Sequence, residues 1–486
     1  MTTLTLRLTR PIIFPLGKTL FATFSAIFFF LTLVTAAALW DLEPFKILAV
    51  IVICGATLLM VIRFPLILVG ALLFVGLLKP KAAEGLSLSD PTFIVLVLTT
   101  ASIVVRLLAA VSGIEQVSIR HMLAGQTGSL ALYLLFLCIL TISYLYAPAT
   151  LYGLDKVLRM WSINSILFLS PLLLVRDEKD FQALIKVFLV FSFVVAVTTV
   201  TGLFILSDAD RGEARTRIGE AWEIGAAILV FLYHRFRGRF ADAVAMIGIL
   251  LLTIALASSM ARGPLLSLLV VLLLTLVVVR STAAQVSKKT ISLGILGTIL
   301  AGASVLLLIQ HLPSVARTFS LKESELAAFL SAEDPGGTAG MRLAYYQGAL
   351  EGFQEKPVLG WGTGAWPVYY WHEDKRTYPH NIFLETAFEQ GLIGIFSLLA
   401  FLTTVVRRLF RFLGRGDGRF VFLFPAVLFS LAVTSFSGDI TAKALWFWFG
   451  MVLTAARIAQ SSLAAPERHE RPVLMSELPC HPLAGK

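Results

Sequence analysis

The feature that most constrains this chain is a series of apolar runs, each close to the length of a membrane-spanning helix. About 20 apolar residues cross the hydrocarbon core of a bilayer as a helix. The chain has 486 residues, of which 57% are apolar and 14% are charged. A soluble globular chain is about half apolar and about a quarter charged. The composition leaves too little polar surface for water-facing domains, so it excludes a soluble enzyme and a disordered chain.

The runs predict an all-α polytopic integral membrane protein with about 12–14 transmembrane helices. The candidate crossings lie near residues 20–40, 46–62, 64–78, 92–112, 129–147, 160–175, 181–206, 220–234, 240–258, 264–280, 290–310, 384–406, 420–437 and 442–458. The first run is longer than the apolar part of a secretory signal, so we interpret it as a retained helix. The run 46–78 is too long for one crossing and contains Arg63-Phe64-Pro65, which favours two helices.

The charge pattern predicts the orientation. Lys and Arg number 40 against 30 Asp and Glu, a net charge of +10. Such an excess indicates either nucleic acid or a membrane as partner. Here the basic residues lie in short connections between apolar runs, which argues against nucleic acid. They are denser in the connections on the side of the N-terminus, so the positive-inside rule places both termini in the cytoplasm.

This topology divides the chain into four parts. Residues 1–310 form an N-terminal transmembrane region, and residues 311–383 form one long loop on the outer side. Residues 384–460 form the C-terminal transmembrane helices. Residues 461–486 are polar and contain several prolines, so we expect a disordered cytoplasmic tail.

The long loop contains one amphipathic helix and one glycine-rich segment. Apolar residues recur at spacings of three and four over Met341–Lys356, and Pro357 then ends the predicted helix. The segment Gly360–Gly364 lacks the preceding strand and following helix of a dinucleotide site. We interpret it as a tight turn that lays the loop on the membrane surface. The aromatic residues that follow either stack on sugars or belong to an interfacial belt, and the belt is favoured; they are Trp366, Tyr369, Tyr370 and Trp371.

Charged residues cluster where the loop re-enters the membrane. Glu385 and Glu389 are four residues apart and share one helical face. A carboxylate at the start of a crossing is costly unless it is paired or lies in a wet cavity. Asp439 and Lys443 are also four residues apart, and we expect them to pair with each other.

Four arginines lie on the outer side against the positive-inside rule. Arg211, Arg215 and Arg217 fall in one connection, and Arg262 falls in another. One explanation is that they anchor to lipid phosphates. The other is that they bind an anionic ligand on the outer face.

Two segments carry a family resemblance. RLAYYQGALEGFQEKPVLGWGTG (342–364) and PHNIFLETAFEQGLIG (379–394) resemble the signature of the O-antigen ligase and polymerase family of bacterial envelope glycosyltransferases. The specific resemblance spans 342–394, and the late outer loop and Ala261-Arg262-Gly263 are similar to the family too. Relatives often carry an asparagine-rich turn where this chain has Glu220–Glu223, so the choice among the three arginines of the first connection stays open.

The resemblance implies a GT-C-like fold and an enzyme on the periplasmic face of the bacterial inner membrane. It implies a polyprenyl-diphosphate-linked glycan as donor and a sugar hydroxyl as acceptor. It also implies that the protein contacts membrane lipids. Guanidinium groups bind phosphate oxygens in pairs, so the diphosphate ligands are expected to be Arg262, Arg217, Arg215 and Arg211. His380 is the expected general base by motif position. Asn381 and Arg342 are expected to support the site, and Glu389 to orient His380 or an arginine.

The resemblance leaves two substrates open. A ligase would join O-antigen to lipid A–core, whereas a polymerase would extend a growing glycan, and the ligase is favoured. A lipid-linked glycan flippase is disfavoured because the crossings are nearly free of charge. We expect no cofactor and no metal requirement, since the nearest set of possible metal ligands in the outer loops is His372-Glu373-Asp374.

Overall fold

A computed structural model of the chain describes residues 55, 57–77, 90–113, 119–201, 213–234, 241–259, 261–281, 338–414 and 418–464. Over these ranges the fold is all-α and contains no β-strand, as predicted. The helices are α1 (Thr57–Arg63), α2 (Pro65–Phe74), α3 (Pro91–Val111), α4 (Ile119–Met122), α5 (Thr127–Tyr144), α6 (Leu151–Arg159), α7 (Ser165–Leu174), α8 (Glu178–Thr201), α9 (Glu213–Tyr233), α10 (Ala241–Ser258), α11 (Arg262–Ser281), α12 (Thr338–Glu355), α13 (Trp366–Trp371), α14 (Ile382–Gly414), α15 (Leu423–Ser437) and α16 (Lys443–Ala464).

The described helices include several that can cross a membrane. Five spans are long and apolar enough, namely α3, α5, α6 with α7, α8 and α14. The pair α1 and α2 passes the same test together and is bent by 104°. The protein is therefore an all-α polytopic membrane protein. The predicted crossings at 20–40 and 290–310, and the predicted tail beyond residue 464, lie outside the described residues.

Helix α16 packs in the middle of the described bundle. Trp446 and Trp448 are fully buried, and the Trp446 ring centre lies 5.2 Å from that of Tyr133. Gly450 lies against the backbone carbonyl of Phe168 on α7, where any side chain would clash. Small residues at such contacts let membrane helices approach closely. The helix continues to Ala464, beyond the expected boundary at 460.

The helix that contains the predicted crossing 160–175 begins earlier than expected. It starts at Leu151, and a π-helical turn over Met160–Asn164 joins α6 to α7. The carboxylate of Asp374 accepts hydrogen bonds from the N–H groups of Leu151 and Tyr152 at 2.8 and 3.0 Å. These are first-turn donors that no helical carbonyl can satisfy. Because the capping residue lies in the distant loop, the local sequence pattern did not reveal this start.

Helix α14 is broken at Gly391, whose φ is +62°. The break leaves backbone groups without helical partners, and the loop before α13 supplies them. The N–H groups of Trp361 and Gly362 donate to carbonyls just before the break at 2.9 and 2.8 Å. The N–H of Leu392 donates to the carbonyl of Pro357 at 2.8 Å. Irregular backbone inside a membrane bundle is tolerated when protein groups satisfy it in this way.

The glycine-rich segment, which was expected to lie back on the membrane surface, packs against protein. Gly360–Gly364 is inserted between α5 and α14. Thr363 is fully buried, donates to the carbonyl of Leu140 at 2.8 Å and lies 2.6 Å from Ser143 Oγ. The prediction of a glycine-dependent turn is confirmed, since Gly360, Gly362 and Gly364 have φ of +72°, +96° and +79°.

Gly362→Ala tests this insertion. We expect a loss of at least about 2 kcal/mol of stability, since a left-handed backbone costs roughly 1–2 kcal/mol once a Cβ is present. The added Cβ would also lie 2.6 Å from Ala147 Cα. The measurement is the midpoint of thermal unfolding in detergent. Gly128→Ala is the control, because Gly128 is helical with open space around its Cα; equal midpoints for the two variants would contradict the inserted loop.

Candidate active site

His380 lies immediately before α14 in an unusual backbone conformation. Its φ is +60°, in the left-handed region. A residue other than glycine there costs about 1–3 kcal/mol, and such strain is often retained at functional sites. Pro379 before it is buried, and the Asn381 side chain accepts from the N–H groups of Phe383 and Leu384 at 2.9 and 3.0 Å. Asn381 therefore caps α14 directly after His380.

The imidazole of His380 contacts two aromatic rings and one carbonyl. Its plane is within 7° of the Tyr345 ring, with ring centres 6.1 Å apart, and the Tyr378 ring centre is 4.6 Å away. Nδ1 lies 3.4 Å from the carbonyl oxygen of Ser437 at the end of α15. When Nδ1 carries the proton and faces this carbonyl, Nε2 is left as a proton acceptor.

Helix α11, which begins at Arg262, reaches the same residue. A Cβ added to Gly263 would lie 2.5 Å from the Oγ of Ser437. Ser437 therefore has the first turn of α11 on one side and the imidazole of His380 on another. The backbone of Arg262 is at this contact, while its side chain lies outside the described part of the structure.

Helix α9 also reaches the end of α15. A Cβ added to Gly438 would lie 2.7 Å from the Trp222 ring. Arg217 precedes Trp222 by five residues, about 7.5 Å along the helix axis at 1.5 Å per residue. The backbone of Arg215 and Arg217 lies in the first turns of α9. Their side chains, and all of Arg211, lie outside the described residues.

A buried ion triad supports this end of the bundle. Lys156 of α6 is fully buried, and its Nζ lies 2.5 Å from Oε1 of both Glu385 and Glu389 on α14. The expectation that these carboxylates share one face and need a partner is confirmed. The other oxygen of Glu385 accepts from the N–H of Ile440 at 2.9 Å, and that of Glu389 accepts from the Gln390 amide at 3.3 Å. The triad thus connects α6, α14 and the turn between α15 and α16.

The carboxylate of Glu389, which was expected to orient His380 or an arginine, contacts the lysine of α6. The contact that the spacing predicted for Asp439 is replaced by another. Asp439 does not form an ion pair with Lys443, because α16 only begins at Lys443 and the two residues do not share a helix. Instead, the Asp439 carboxylate accepts from the Thr441 hydroxyl at 2.9 Å and from its N–H at 3.1 Å.

Arg376 is a cation near the site that sequence reasoning missed. It is exposed and lies in the same loop as His380, four residues earlier. Partial desolvation lowers the pKa of Arg376, but neighbouring acidic groups, Asp439 foremost, raise it by more. The net pKa is above the ordinary value, so the guanidinium stays charged. Its position in the histidine loop was the one available signal.

The aromatic residues of the loop form a packed cluster that reaches the imidazole through Tyr345. Trp366 is fully buried, with its ring centre 5.9 Å from that of Tyr345 and 5.3 Å from that of Phe388. It therefore does not belong to an interfacial belt, contrary to the favoured interpretation. Trp371 is 40% exposed, and the Nζ of Lys375 lies 4.8 Å from its ring centre.

The remaining predicted residues have other neighbours. Arg342 is half-buried on α12, three residues before Tyr345, whose ring stacks on the imidazole. Of the possible metal ligands, Asp374 caps α6, and Glu373 accepts from Lys375 at 2.6 Å. No group of three potential metal-ligating side chains occurs among the described residues. Independence from metal stays a prediction.

Two comparisons with known proteins bear on this geometry. A search of curated protein sequences finds no match. In the scan against protein families, residues 247–399 match the family model described as O-antigen ligase. The matched stretch contains the start of α11, the whole of α12 and α13, and the motif around His380. Residues 247–399 are therefore similar to the O-antigen ligase family, which agrees with the resemblance inferred from the motifs of the chain.

Proposed function

We propose that this protein transfers a glycan from a polyprenyl-diphosphate carrier to an acceptor sugar hydroxyl, most specifically as an O-antigen ligase that acts on lipid A–core. The charge pattern of the sequence supports a reaction on the outer side of the membrane, and the family resemblance supports a bacterial inner membrane, whose outer side is periplasmic. Arg408 and Arg457, which donate to backbone carbonyls at the end of the bundle opposite His380, support that orientation. The family domain supports the class of ligase and polymerase glycosyltransferases as a whole.

The observation that carries the proposal is that the loop of His380 and the start of α11 both contact Ser437, the last residue of α15. His380 lies 3.4 Å from the Ser437 carbonyl, and Gly263 packs on the hydroxyl of the same residue. Arg262 is adjacent to Gly263, so a candidate base and a candidate phosphate ligand come from positions more than a hundred residues apart in sequence. Transfer of a glycosyl group from a diphosphate ester to an alcohol requires a base and a phosphate ligand close together in this way.

In the proposed reaction, His380 acts as the general base. Its Nδ1–H faces the Ser437 carbonyl, so Nε2 accepts the proton of the acceptor hydroxyl as that oxygen attacks the anomeric carbon. The new C–O bond forms while the bond from the anomeric carbon to the diphosphate oxygen breaks. The diphosphate leaves with the electron pair, and the single displacement inverts the anomeric centre.

The arginines are proposed to stabilise the departing diphosphate. Arg262 lies at the N-terminus of α11, where free backbone N–H groups and the helix dipole already favour an anion. Arg217, Arg215 and Arg211 are proposed to approach the diphosphate from the start of α9. Guanidinium groups remain charged at any working pH and bind phosphate oxygens in pairs, so we expect no metal requirement.

The base assignment predicts the effect of His380→Asn. Asparagine tolerates a left-handed backbone, so this change removes the imidazole and leaves the conformation in place. We expect kcat to fall by about 10²–10⁴ in a transfer assay with purified protein and lipid-linked donor. His372→Asn is the matched control, because His372 also has a positive φ, of +57°, and is exposed. Wild-type kcat for His380→Asn would remove the base assignment.

The diphosphate assignment predicts the effect of Arg262→Ala. We expect kcat/KM for the donor to fall at least about tenfold, because a charge-assisted contact to phosphate contributes on the order of 1.5–3 kcal/mol. Arg419→Ala is the control of equal charge, since Arg419 pairs with Glu178 at 2.8 Å at the other end of the bundle. Unchanged donor affinity in Arg262→Ala would exclude this arginine from the clamp.

The choice of ligase over polymerase predicts the glycan profile of a deletion strain. Without the ligase, long chains should be absent from lipid A–core, and lipid-linked polymer should accumulate. Electrophoresis of the lipopolysaccharide, together with extraction of the lipid-linked pool, is the measurement. A core that carries one repeat unit would instead identify a polymerase.

A further inference from the structure

The turn that faces His380 is held by buried groups that no step of the proposed reaction uses. This turn spans residues 438–442, between α15 and α16. Ser437, the last residue of α15, leads into the turn and presents the carbonyl that lies 3.4 Å from His380 Nδ1. The position of that carbonyl decides which imidazole nitrogen carries the proton, so whatever fixes the turn also acts on the base.

Two side chains fix the turn at Ile440. The Ile440 N–H donates to Oε2 of Glu385 at 2.9 Å, and the Ile440 carbonyl accepts from Trp446 Nε1 at 2.8 Å. Both backbone groups of Ile440 are thereby used by side chains from outside the turn. A third restraint is internal, since Asp439 binds the hydroxyl and N–H of Thr441.

Glu385 can hold Ile440 only if its own charge is compensated. The residue is fully buried, and its Oε1 lies 2.5 Å from the Nζ of Lys156. Removing one partner of a buried ion pair typically costs about 3–5 kcal/mol. Lys156 therefore fixes the carboxylate, and the carboxylate fixes the turn.

We propose that Lys156 and Glu385 are positioning residues, which hold the Ser437 carbonyl against His380 Nδ1 through the backbone of Ile440 and so keep the proton on Nδ1 and Nε2 as the basic nitrogen. The proposal rests on the proposed function of His380 but assigns a separate role to the triad. Neither residue touches substrate; each acts through the turn.

The triad contains its own matched comparison. Glu385→Gln and Glu389→Gln each remove one carboxylate charge beside Lys156. In both variants the amide oxygen should face the ammonium group, which places the amide NH₂ where Oε2 was. In Glu385→Gln this NH₂ faces the Ile440 N–H, a donor against a donor. In Glu389→Gln the NH₂ faces the Gln390 side-chain amide, which can rotate to present its oxygen, and the bond to Ile440 is left intact.

The experiment measures kcat, donor KM, the pH–rate profile and the thermal unfolding midpoint for both variants. We expect kcat of Glu385→Gln to be about tenfold below that of Glu389→Gln, because a small misplacement of a catalytic group is costly, with similar donor KM values. The acid limb of the profile should move further to lower pH in Glu385→Gln, since the protonated imidazole loses its acceptor. Equal kcat values and coincident profiles would overturn the proposal and leave the triad with a role in stability alone.

Two further variants separate the possible failures. Trp446→Phe removes the other bond to Ile440 without changing the charge of the triad, and we expect it to lower kcat as Glu385→Gln does. This variant keeps the proposal testable if Glu385→Gln does not fold. If Trp446→Phe leaves kcat and the pH profile as in the wild type, the turn does not position the base. Full activity of His380→Asn would refute the proposed base itself, whereas an inactive His380→Asn with equal glutamine variants would refute only the positioning role.

Discussion

The candidate site depends on one buried cation held between two carboxylates. Lys156 brings Glu385 and Glu389 together in a place from which water is excluded, and each of the three charges would be costly there without the others. The second oxygen of each carboxylate also has a hydrogen-bond donor, the Ile440 N–H for Glu385 and the Gln390 amide for Glu389. These bonds fix the orientation of both carboxylates. It connects a helix early in the chain to the helix that follows the histidine motif, and both of these to the last turn before α16.

The second constraint is that a broken helix inside a membrane bundle needs partners for its backbone. The break at Gly391 is tolerated because the preceding loop lies alongside it and exchanges hydrogen bonds with both sides of the break. Only glycine allows that approach at Gly360, where a Cβ would lie 2.5 Å from the carbonyl of Glu389. The loop, the break and the buried triad therefore occupy adjacent positions, and the His380 motif begins one turn of helix before the triad.

Most helices could be predicted from the sequence, because an apolar run of the right length has few alternatives in a bilayer. Helix α3, Pro91–Val111, lies within a few residues of its predicted bounds. Helix α9, Glu213–Tyr233, begins earlier than predicted and ends where expected. The errors arose where a distant residue changed the local outcome. Asp374 starts α6 earlier than its own sequence indicates, and the buried position of Lys156 depends on two glutamates more than two hundred residues away.

The sequence by itself determined the all-α membrane fold, the presence of a helix before the glycine-rich segment, the need for glycine in the turn after it and the family that its central motif resembles. These follow from periodicity, backbone sterics and residue order, which are local properties. Only the tertiary structure decided that Lys156 pairs with both glutamates, that Asp439 binds Thr441 rather than Lys443, and that Ser437 separates His380 from the start of α11. Each of these outcomes is a choice of partner among groups far apart in the chain, and packing makes that choice because a buried polar group must take whichever partner the fold brings within reach.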